Sequence, residues 1–457
     1  MTLKAINPTT GELIAEYEEM STEATAAAVD AAHGAFLDWR RLSFAERAVP
    51  MRRVGALLRE RARDYGRLMA QEMGKPIGGG IAEAEKCASA CDYFADKAEA
   101  FLAPEAIPVE GAKAYVAFQP IGVVLAVMPW NFPFWQVFRF IAPGLMAGNA
   151  GVLKHASNVP GCAKAIEDLM RDAGFPQDLF RTLMIGSRAV EAVIEHPRVR
   201  AVTLTGSEPA GRAVARKSGE VLKKTVLELG GSDPYLVLKD ADVEMAAAIS
   251  TKARLVNSGQ SCIAGKRFIV VEPLRERFEA LFVEKMRAAK MGDPLDEATE
   301  VGPMARHDLR DDLHGQVEDS IGKGARLLCG GEIPDGAGAF YPPTVLSDVR
   351  KGMAAYGEEL FGPVAAIITA RDEAEAIAIA NDSDFGLGAG IITADLAHGE
   401  QLAVEQVEAG SVFINGAVAS NVALPFGGVK NSGYGRELSH YGIKEFVNIK
   451  TIFVAGG

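Results

Sequence analysis

The eight residues Ile121–Met128, with the sequence IGVVLAVM, form a short apolar run that stops at Pro129. Such a run is typical of a strand buried on both faces of a parallel sheet. Similar runs recur along the chain, at 150–153, 182–185, 201–205, 235–238, 268–271 and 364–369. Helical patterns separate them, at 162–172, 189–195 and 245–255. The alternation predicts an α/β fold with mostly parallel sheets.

The flanking regions have a different pattern. Residues 22–104 look helical, with an alanine-rich stretch at 22–39 and apolar residues at helical spacing over 44–73. Residues 114–118 and 446–454 alternate polar and apolar side chains, which is typical of exposed strands that pair with another subunit. A glycine-containing break at 230–234 predicts a domain boundary. A second glycine-rich stretch, at 330–338, predicts a surface loop.

Composition limits the classes of function. A chain of 457 residues exceeds one core, so two or three domains are expected. Apolar residues make up 48% and charged residues 24%, which indicates a soluble globular protein. The net charge of -12 argues against a general binder of nucleic acids or anionic membranes. No apolar run spans a bilayer, and the N-terminus has no apolar signal core.

The five cysteines are sparse and odd in number, so a disulfide scaffold is not expected and a reducing cytoplasm is the default location. Cys87 and Cys91 lie four residues apart in a helical pattern, and no cluster of histidines or cysteines nearby completes a zinc site. We therefore predict no metal, and we interpret both residues as helix packing.

The segment Asn257–Cys262, with the sequence NSGQSC, places a cysteine after a polar turn that contains glycine, and a strand-like run follows at 267–271. A thiol in this position can be exposed, held by the backbone and activated as a nucleophile. The alternative is an inert packed residue, which is commoner for a lone cysteine.

Two other segments carry groups that such a thiol needs. Asn131 lies between two prolines in the sequence PWNFP, directly after the first strand, where a rigid amide could stabilise an oxyanion. The alternative is a turn in which the asparagine bonds its own backbone. Glu228 lies inside the apolar run VLELGG, where burial would raise its pKa toward that of a general base. A strand-end glutamate facing water is its alternative.

Weaker signals point to a nucleotide. Gly206 and Ser207 end another strand and Gly211 follows, so a glycine turn opens a helix whose N-terminus suits a phosphate. A capped helix explains the same pattern. Lys154 and Ser157 follow a strand and could bind ribose hydroxyls or an extra phosphate, although most such lysines are only solvated.

Taken in order, these segments resemble the aldehyde dehydrogenase superfamily over nearly the whole chain. The matching segments are 129–133, Lys154, 205–207, 228–231, 259–262, 359–363 and 425–433. The resemblance implies a Rossmann-like cofactor domain at 1–112 and 129–230 and a catalytic α/β domain at 231–425. It also implies a small β oligomerisation arm at 113–128 and 440–457, and homodimers or homotetramers.

The resemblance also implies roles for individual residues. Cys262 matches the nucleophile, Asn131 the oxyanion donor, and Glu228 the base that activates the water for deacylation. Lys154 matches the ribose-binding lysine, Ser207 a pyrophosphate contact, and Glu359 and Phe361 the groups at the nicotinamide. The full set of positions expected to bind cofactor is Trp130, Lys154, Ser157, Gly206, Ser207, Gly211, Leu229, Glu359 and Phe361.

Cofactor choice depends on Ser157. Many members of the family that prefer NAD carry a glutamate three residues after the lysine, and a carboxylate there would repel a 2′-phosphate. A hydroxyl can donate to that phosphate and Lys154 adds positive charge. We therefore predict that NADP is preferred, with NAD as the alternative.

Arg139 bears on the substrate. It interrupts the apolar segment after the oxyanion loop, and an arginine there needs an anionic partner. The chain resembles the short bacterial succinate-semialdehyde dehydrogenases, in which an arginine at this place binds the distal carboxylate; pairing with a structural carboxylate is the alternative. Ser420 could assist. Some relatives carry a second arginine where this chain has Val256, and a second cysteine where it has Ala264.

The expected reaction is therefore oxidation of an aldehyde, succinate semialdehyde in the first instance, to its acid through a cysteine thioester. Three alternatives remain from the sequence. The enzyme could use uncharged aldehydes, or it could be an acylating dehydrogenase that passes the thioester to coenzyme A or phosphate. It could also be a binding or structural member without activity.

Overall fold

The computed structural model describes residues 2–455 of the chain. Met1, Gly456 and Gly457 fall in the predicted ranges 1–112 and 440–457 but lie outside the described residues. Helices and strands alternate through most of the chain, which confirms the α/β fold class.

Twenty strands occur in the described residues: β1 (Thr2–Ile6), β2 (Leu13–Glu18), β3 (Glu105–Val109), β4 (Ala112–Pro120), β5 (Val123–Met128), β6 (Ala150–His155), β7 (Phe180–Thr182), β8 (Val199–Thr205), β9 (Lys224–Glu228), β10 (Asp233–Val237), β11 (Gly265–Val271), β12 (Arg326–Cys329), β13 (Thr344–Ser347), β14 (Val364–Ala370), β15 (Phe385–Gly386), β16 (Gly388–Ile392), β17 (Ser411–Ile414), β18 (Val429–Lys430), β19 (Gly433–Tyr434) and β20 (Val447–Ala455).

The α-helices of the same residues are α1 (Thr22–Trp39), α2 (Phe44–Glu60), α3 (Ala62–Met73), α4 (Ile77–Phe101), α5 (Trp135–Met146), α6 (Pro160–Asp172), α7 (Val190–Glu195), α8 (Glu208–Glu220), α9 (Val243–Leu255), α10 (Arg275–Ala288), α11 (His307–Gly322), α12 (Ala354–Gly357), α13 (Glu373–Asn381), α14 (Leu396–Glu405) and α15 (Ser439–Gly442). No helix within residues 2–455 has both the length and the hydropathy that a membrane crossing needs.

The first large sheet has the strand order β19-β9-β8-β5-β6-β7. All its pairs are parallel except β19 with β9. Strand β5 lies between β8 and β6 because its side chains are apolar throughout and nearly all buried. The carboxyl ends of β5, β6, β8 and β9 therefore meet at one edge, where α/β sheets bind ligands.

The second large sheet has the order β12-β13-β14-β11-β10-β16-β17, with only β12 antiparallel to its neighbour. The chain leaves the first sheet at Glu228 and enters the second at Asp233. The predicted break at 230–234 is thus the crossing between the two sheets. The loop that carries Cys262 lies between α9 and β11, so it belongs to the second sheet.

A third sheet contains β20, β4 and β3, all antiparallel. Its composition corrects the expected arm boundaries. Residues 123–128 belong to the centre of the first sheet, whereas β3, which was assigned to the cofactor domain, pairs with β4 in the third sheet. The physical reason is that polar alternation ends at Pro120 and Gly122, with a φ of +133°, redirects the chain before the fully apolar β5 begins.

Two local predictions also need correction. The helical pattern at 44–73 divides into α2 and α3, because Arg61 between them is not helical. The strand predicted at 182–185 lies earlier, as β7. Helix α1 agrees with the predicted range 22–39 at both ends.

Candidate active site

The cysteine loop has an unusual backbone. Helix α9 ends at Leu255, and the next three positions after Val256 take left-handed conformations, with φ values of 52° for Asn257, 57° for Ser258 and 76° for Gly259. A Cβ on Gly259 would lie 2.2 Å from the Gly362 carbonyl oxygen, so only glycine fits there. This turn reverses the chain and brings Cys262 to the start of β11.

Two buried cations bind the carbonyl groups of this loop. The Lys266 ammonium donates to the carbonyl oxygens of Ser261 at 2.8 Å and Cys262 at 2.5 Å. The Arg254 guanidinium donates to Gly259 at 2.7 Å and to Val364 on β14 at 3.0 Å. Burial lowers the pKa of Lys266 and lowers that of Arg254 to about 9. The loop is therefore fixed by charged donors rather than by a regular ladder.

Asn131 contacts this loop directly. Its side-chain amide donates to the Gln260 carbonyl oxygen at 3.1 Å, while the Asn257 amide donates to the carbonyl oxygens of Asn131 at 2.8 Å and Gln260 at 3.1 Å. The bond to Gln260 uses one of the two amide hydrogens of Asn131 and leaves the other free to donate. The structure therefore brings Asn131 to the cysteine loop, and its side chain bonds that loop instead of its own turn.

The Cys262 thiol is half-buried, and the pKa of the thiol is raised to about 12 because burial disfavours the thiolate. The positive charges of Arg139 and Lys266 oppose this effect without overcoming it. The ligand-free site therefore holds a protonated thiol at neutral pH, and the thiol needs a proton acceptor before it can attack a substrate.

Glu228 ends β9 and is only 2% exposed. The alternative interpretation, a strand-end glutamate that faces water, is therefore wrong. Neither carboxylate oxygen has a hydrogen-bond partner within the described residues. Burial raises the pKa of this carboxyl well above its usual range, and the nearby Glu437 carboxyl adds to the shift, whereas Arg139 and Arg436 oppose it. The raised pKa agrees with the environment that the sequence predicted for a general base.

A cavity of about 850 Å³ adjoins the thiol. Its lining includes Cys262, Arg139, Lys86, Trp135 and Ser420. Arg139 lies there because α5 is buried at every position, which leaves its guanidinium no route to solvent.

Arg139 already has an anionic partner. Its Nε lies 2.7 Å from Glu437 Oε2, its Nη2 donates to Thr205 Oγ1 at 3.2 Å, and its guanidinium lies 4.6 Å from the centre of the Phe426 ring. The alternative of a structural carboxylate partner is therefore present in the structure, although Arg139 still lines the cavity. Ser420 accepts hydrogen bonds from Lys86 Nζ at 2.8 Å and from Trp135 Nε1 at 3.0 Å.

The positions expected to bind cofactor lie mostly at the carboxyl edge of the first sheet. Lys154 lies near the end of β6, is buried, and forms no ion pair within the described residues. Burial lowers the pKa of its ammonium. Ser157 is exposed and lines a second cavity of about 530 Å³, which Arg188 also lines.

The predicted glycine turn follows β8. Gly206 donates its N–H to the Glu228 carbonyl oxygen at 3.0 Å. Ser207 directly precedes α8, and its side chain accepts no hydrogen bond from the first N–H groups of that helix. The hydroxyl of Ser207 is therefore not used as a helix cap. A Cβ on Gly211 would lie 2.6 Å from the Leu229 side chain, so glycine lets α8 approach β9 closely.

An aromatic pair and a carboxylate lie between the two sheets. Trp130 and Phe361 meet edge to face with ring centres 5.7 Å apart. Glu359 accepts a hydrogen bond from the Gly231 N–H at 3.0 Å and lies 3.3 Å from Lys266 Nζ. Lys266 thus connects Glu359 to the Cys262 loop, a link that the sequence did not indicate.

The sequence and the fold are similar to those of known enzymes. The model of the aldehyde dehydrogenase family matches residues 1–452. The chain is 50% identical to a succinate-semialdehyde dehydrogenase (NADP+) of Mycobacterium avium, over 99% of this chain and 97% of that protein. The succinic semialdehyde dehydrogenase of Streptococcus pyogenes, solved with NADP+, superposes with a TM-score of 0.97 at 38% identity, covering 99% of this chain and 100% of that one.

The chain belongs to the aldehyde dehydrogenase family.

Membership confirms the family resemblance and the expected fold, and makes the protein an enzyme that oxidises an aldehyde to a carboxylic acid. Sequence reasoning missed Lys86, Arg188, Lys266 and Glu437. A signal for Lys86 was its position three residues after Glu83, on a helix whose neighbouring residues are mostly small. Glu437 and Lys266 gave no local signal, because their partners are distant in the sequence or are backbone carbonyls.

Replacing Gly259 by alanine should destabilise the enzyme and remove most of its activity. A side chain there meets a backbone oxygen and occupies a left-handed conformation, so we expect a loss of about 3 kcal/mol or more in free energy of unfolding. Urea unfolding and steady-state turnover measure the effect. Gly315→Ala is the matched control, since Gly315 lies exposed within α11 with nothing within 4 Å of a Cβ. Gly315→Ala should raise the free energy of unfolding by up to about 1 kcal/mol. A Gly259→Ala enzyme as stable and active as the wild type would contradict the described structure of the loop.

Proposed function

We propose that this enzyme is an NADP-dependent succinate-semialdehyde dehydrogenase. The observation that carries the proposal is the cavity at Cys262, which combines a half-buried thiol with cationic side chains and the Ser420 hydroxyl. Such a lining suits a short aldehyde with a carboxylate at its far end. The names of the relatives from Mycobacterium avium and Streptococcus pyogenes support the same substrate.

In the proposed reaction the sulfur of Cys262 attacks the aldehyde carbon while the thiol proton passes to solvent water. The free amide hydrogen of Asn131 and the N–H of Cys262 donate to the resulting oxyanion of the thiohemiacetal. Losing one such donor typically costs about 10²–10³ in rate. Collapse of this adduct expels a hydride and leaves a thioester on Cys262.

Glu228 is proposed to complete the cycle. As a carboxylate it accepts a proton from the water that hydrolyses the thioester, which releases the acid and restores the thiol. Its raised pKa sets the direction of the pH dependence. The carboxylate form is lost as the pH falls through that raised pKa, so deacylation should speed up as the pH rises.

The nicotinamide cofactor, when bound, accepts the hydride. The residues fit such a group. Lys154 is a buried cation without a carboxylate partner at the edge of the sheet, and the Gly206 turn precedes a helix N-terminus. We propose that Trp130, Glu359 and Phe361 adjoin the nicotinamide ribose and ring. Gly206, Ser207, Gly211 and Leu229 are proposed to form the turn and the adjoining helix contact beside the pyrophosphate.

Preference for NADP is proposed to depend on Ser157, with Lys154 and Arg188 supplying positive charge to the 2′-phosphate; NAD remains the alternative cofactor. Ser157→Glu should lower kcat/KM for NADP by about 10²–10³-fold, because a carboxylate beside a phosphate is repelled. Activity with NAD should be retained. Ser157→Gln introduces a neutral side chain of the same size as glutamate, so its kcat/KM for NADP should fall far less. Equal losses in the two variants would show that size, not charge, determines the choice.

One observation favours a second candidate, a dehydrogenase of uncharged aldehydes. The ion pair of Arg139 with Glu437 already neutralises the residue expected to bind a carboxylate. Comparing succinate semialdehyde with butanal, each with NADP and with NAD, tests the two. The proposal predicts a kcat/KM for succinate semialdehyde that exceeds that for butanal by about 10–100-fold, the value of a charged hydrogen bond. Equal values would favour the uncharged substrates.

Measuring succinate release in the same reactions addresses the acylating and non-catalytic alternatives. The proposed hydrolysis releases succinate without any added acceptor, because Glu228 activates water. Release that requires coenzyme A or phosphate would contradict this role of Glu228. Turnover of any kind eliminates a purely structural function.

The sheet of β3, β4 and β20 is proposed as the oligomerisation arm of a homodimer or homotetramer. Apolar side chains on its edge strands are exposed in the single chain, among them Ile107, Ile449 and Phe453. Light scattering should give the mass of a dimer or tetramer; a monomer at all concentrations would contradict the assignment. The sparse, odd set of cysteines supports a cytoplasmic location.

A further inference from the structure

Lys86 is the feature of the cavity that the proposed reaction leaves unexplained. It lies on α4, on the face that also presents Gly79 and Glu83 to the cavity, at the three- and four-residue spacing of one helix face. The side chain is half-buried, and its ammonium lies 4.3 Å from the centre of the Trp135 ring. Placing an ammonium there costs free energy unless an anion compensates it.

The other buried cations of the cavity are already compensated. Lys75 pairs with Glu83, which also accepts the N–H groups of Phe134 and Trp135 at 2.9 Å, and Arg139 pairs with Glu437. Lys86 forms no ion pair with any carboxylate in the described part of the chain. Burial, followed by the charge of Arg139, lowers the pKa of its ammonium to about 8.

The hydrogen bonds around Ser420 indicate where an anion would bind. Its hydroxyl oxygen accepts from Lys86 and from Trp135, which occupies both lone pairs. The hydroxyl hydrogen therefore remains free to donate to a third group. Lys86 has three donors and uses one of them on Ser420, so two remain. Both side chains thus offer donors, and neither offers an acceptor.

We propose that Lys86 is a specificity-determining residue that binds the distal carboxylate of the substrate together with the Ser420 hydroxyl and Arg139. This role rests on the proposed function and deepens it. It supplies a second positive charge at the cavity, beside that of Arg139. It also explains how the cavity can attract an anion although Arg139 is paired with Glu437.

Lys86→Met tests the role, since methionine keeps an apolar stem and removes the charge. With saturating NADP, we expect KM for succinate semialdehyde to rise about 10–100-fold while kcat changes less than about threefold. The kcat/KM for butanal should change less than about threefold. Lys86→Arg keeps the positive charge, so its KM for succinate semialdehyde should stay close to that of the wild type. Lys86→Gln, which can still donate to Ser420, should behave like Lys86→Met, because the charge and not the bond to Ser420 is decisive.

Lys252→Met is the matched control, because Lys252 lines the same cavity but is exposed to solvent and forms no ion pair in the described residues. Lys252→Met should leave kcat/KM nearly unchanged for both substrates. Butanal turnover reports the folding of every variant. Equal losses on both substrates would make Lys86 a structural support of Ser420 and Trp135, and unchanged KM would place the carboxylate elsewhere; either result overturns the proposal. A wild-type enzyme without preference for succinate semialdehyde would instead contradict the proposed substrate itself.

Discussion

Two buried cations that bind backbone carbonyls make the rest of this site possible. Three consecutive left-handed residues cannot continue α9 or join a strand, so the carbonyl groups of the loop need other donors. Lys266 and Arg254 supply them and are themselves fully buried. The cost of burying each charge is offset by several hydrogen bonds and by nearby carboxylates such as Glu359 and Asp233. Cys262 is thereby held in a fixed position although it lies on a loop.

Burial also sets the charge state of the site. It raises the pKa of both the Cys262 thiol and the Glu228 carboxyl, so the ligand-free site favours the neutral forms of both groups. Arg139 opposes both shifts and is paired with Glu437. One guanidinium therefore lines the cavity and also acts electrostatically on Glu228, so a change at Arg139 would affect the ionisation of Glu228.

Much of the fold was predictable because parallel strands buried on both faces consist of continuous apolar runs. Strands β5, β6, β8, β10, β11 and β14 all gave that signal. Strand β9 did not, because its first residues are polar and exposed, and the short strands β12, β13, β16 and β17 were also missed. The expected arm boundary was wrong because only Ile121 and Gly122 separate β4 from β5, although the hydropathy pattern changes there.

The candidate site was predictable where a residue lies in a distinctive local segment, as for Asn131, Glu228 and Cys262. Contacts between distant segments could not be predicted in this way. Lys86 and Ser420 are separated by 334 positions, and Arg139 meets Glu437 only because a fully buried helix packs against the C-terminal segment. The type of each side chain can be read from the sequence, whereas the charge balance of the cavity depends on which side chains meet in three dimensions.

We propose that Cys262 carries the acyl group while the cofactor is reduced. The most direct test is to mix the Glu228→Gln enzyme with succinate semialdehyde and NADP, quench with acid and map its peptides by mass spectrometry. Removing the base should trap the thioester, so we predict a succinyl group on the peptide containing Cys262 in nearly stoichiometric amount with the NADPH formed. NADPH formation without any acyl group on Cys262 would contradict the account.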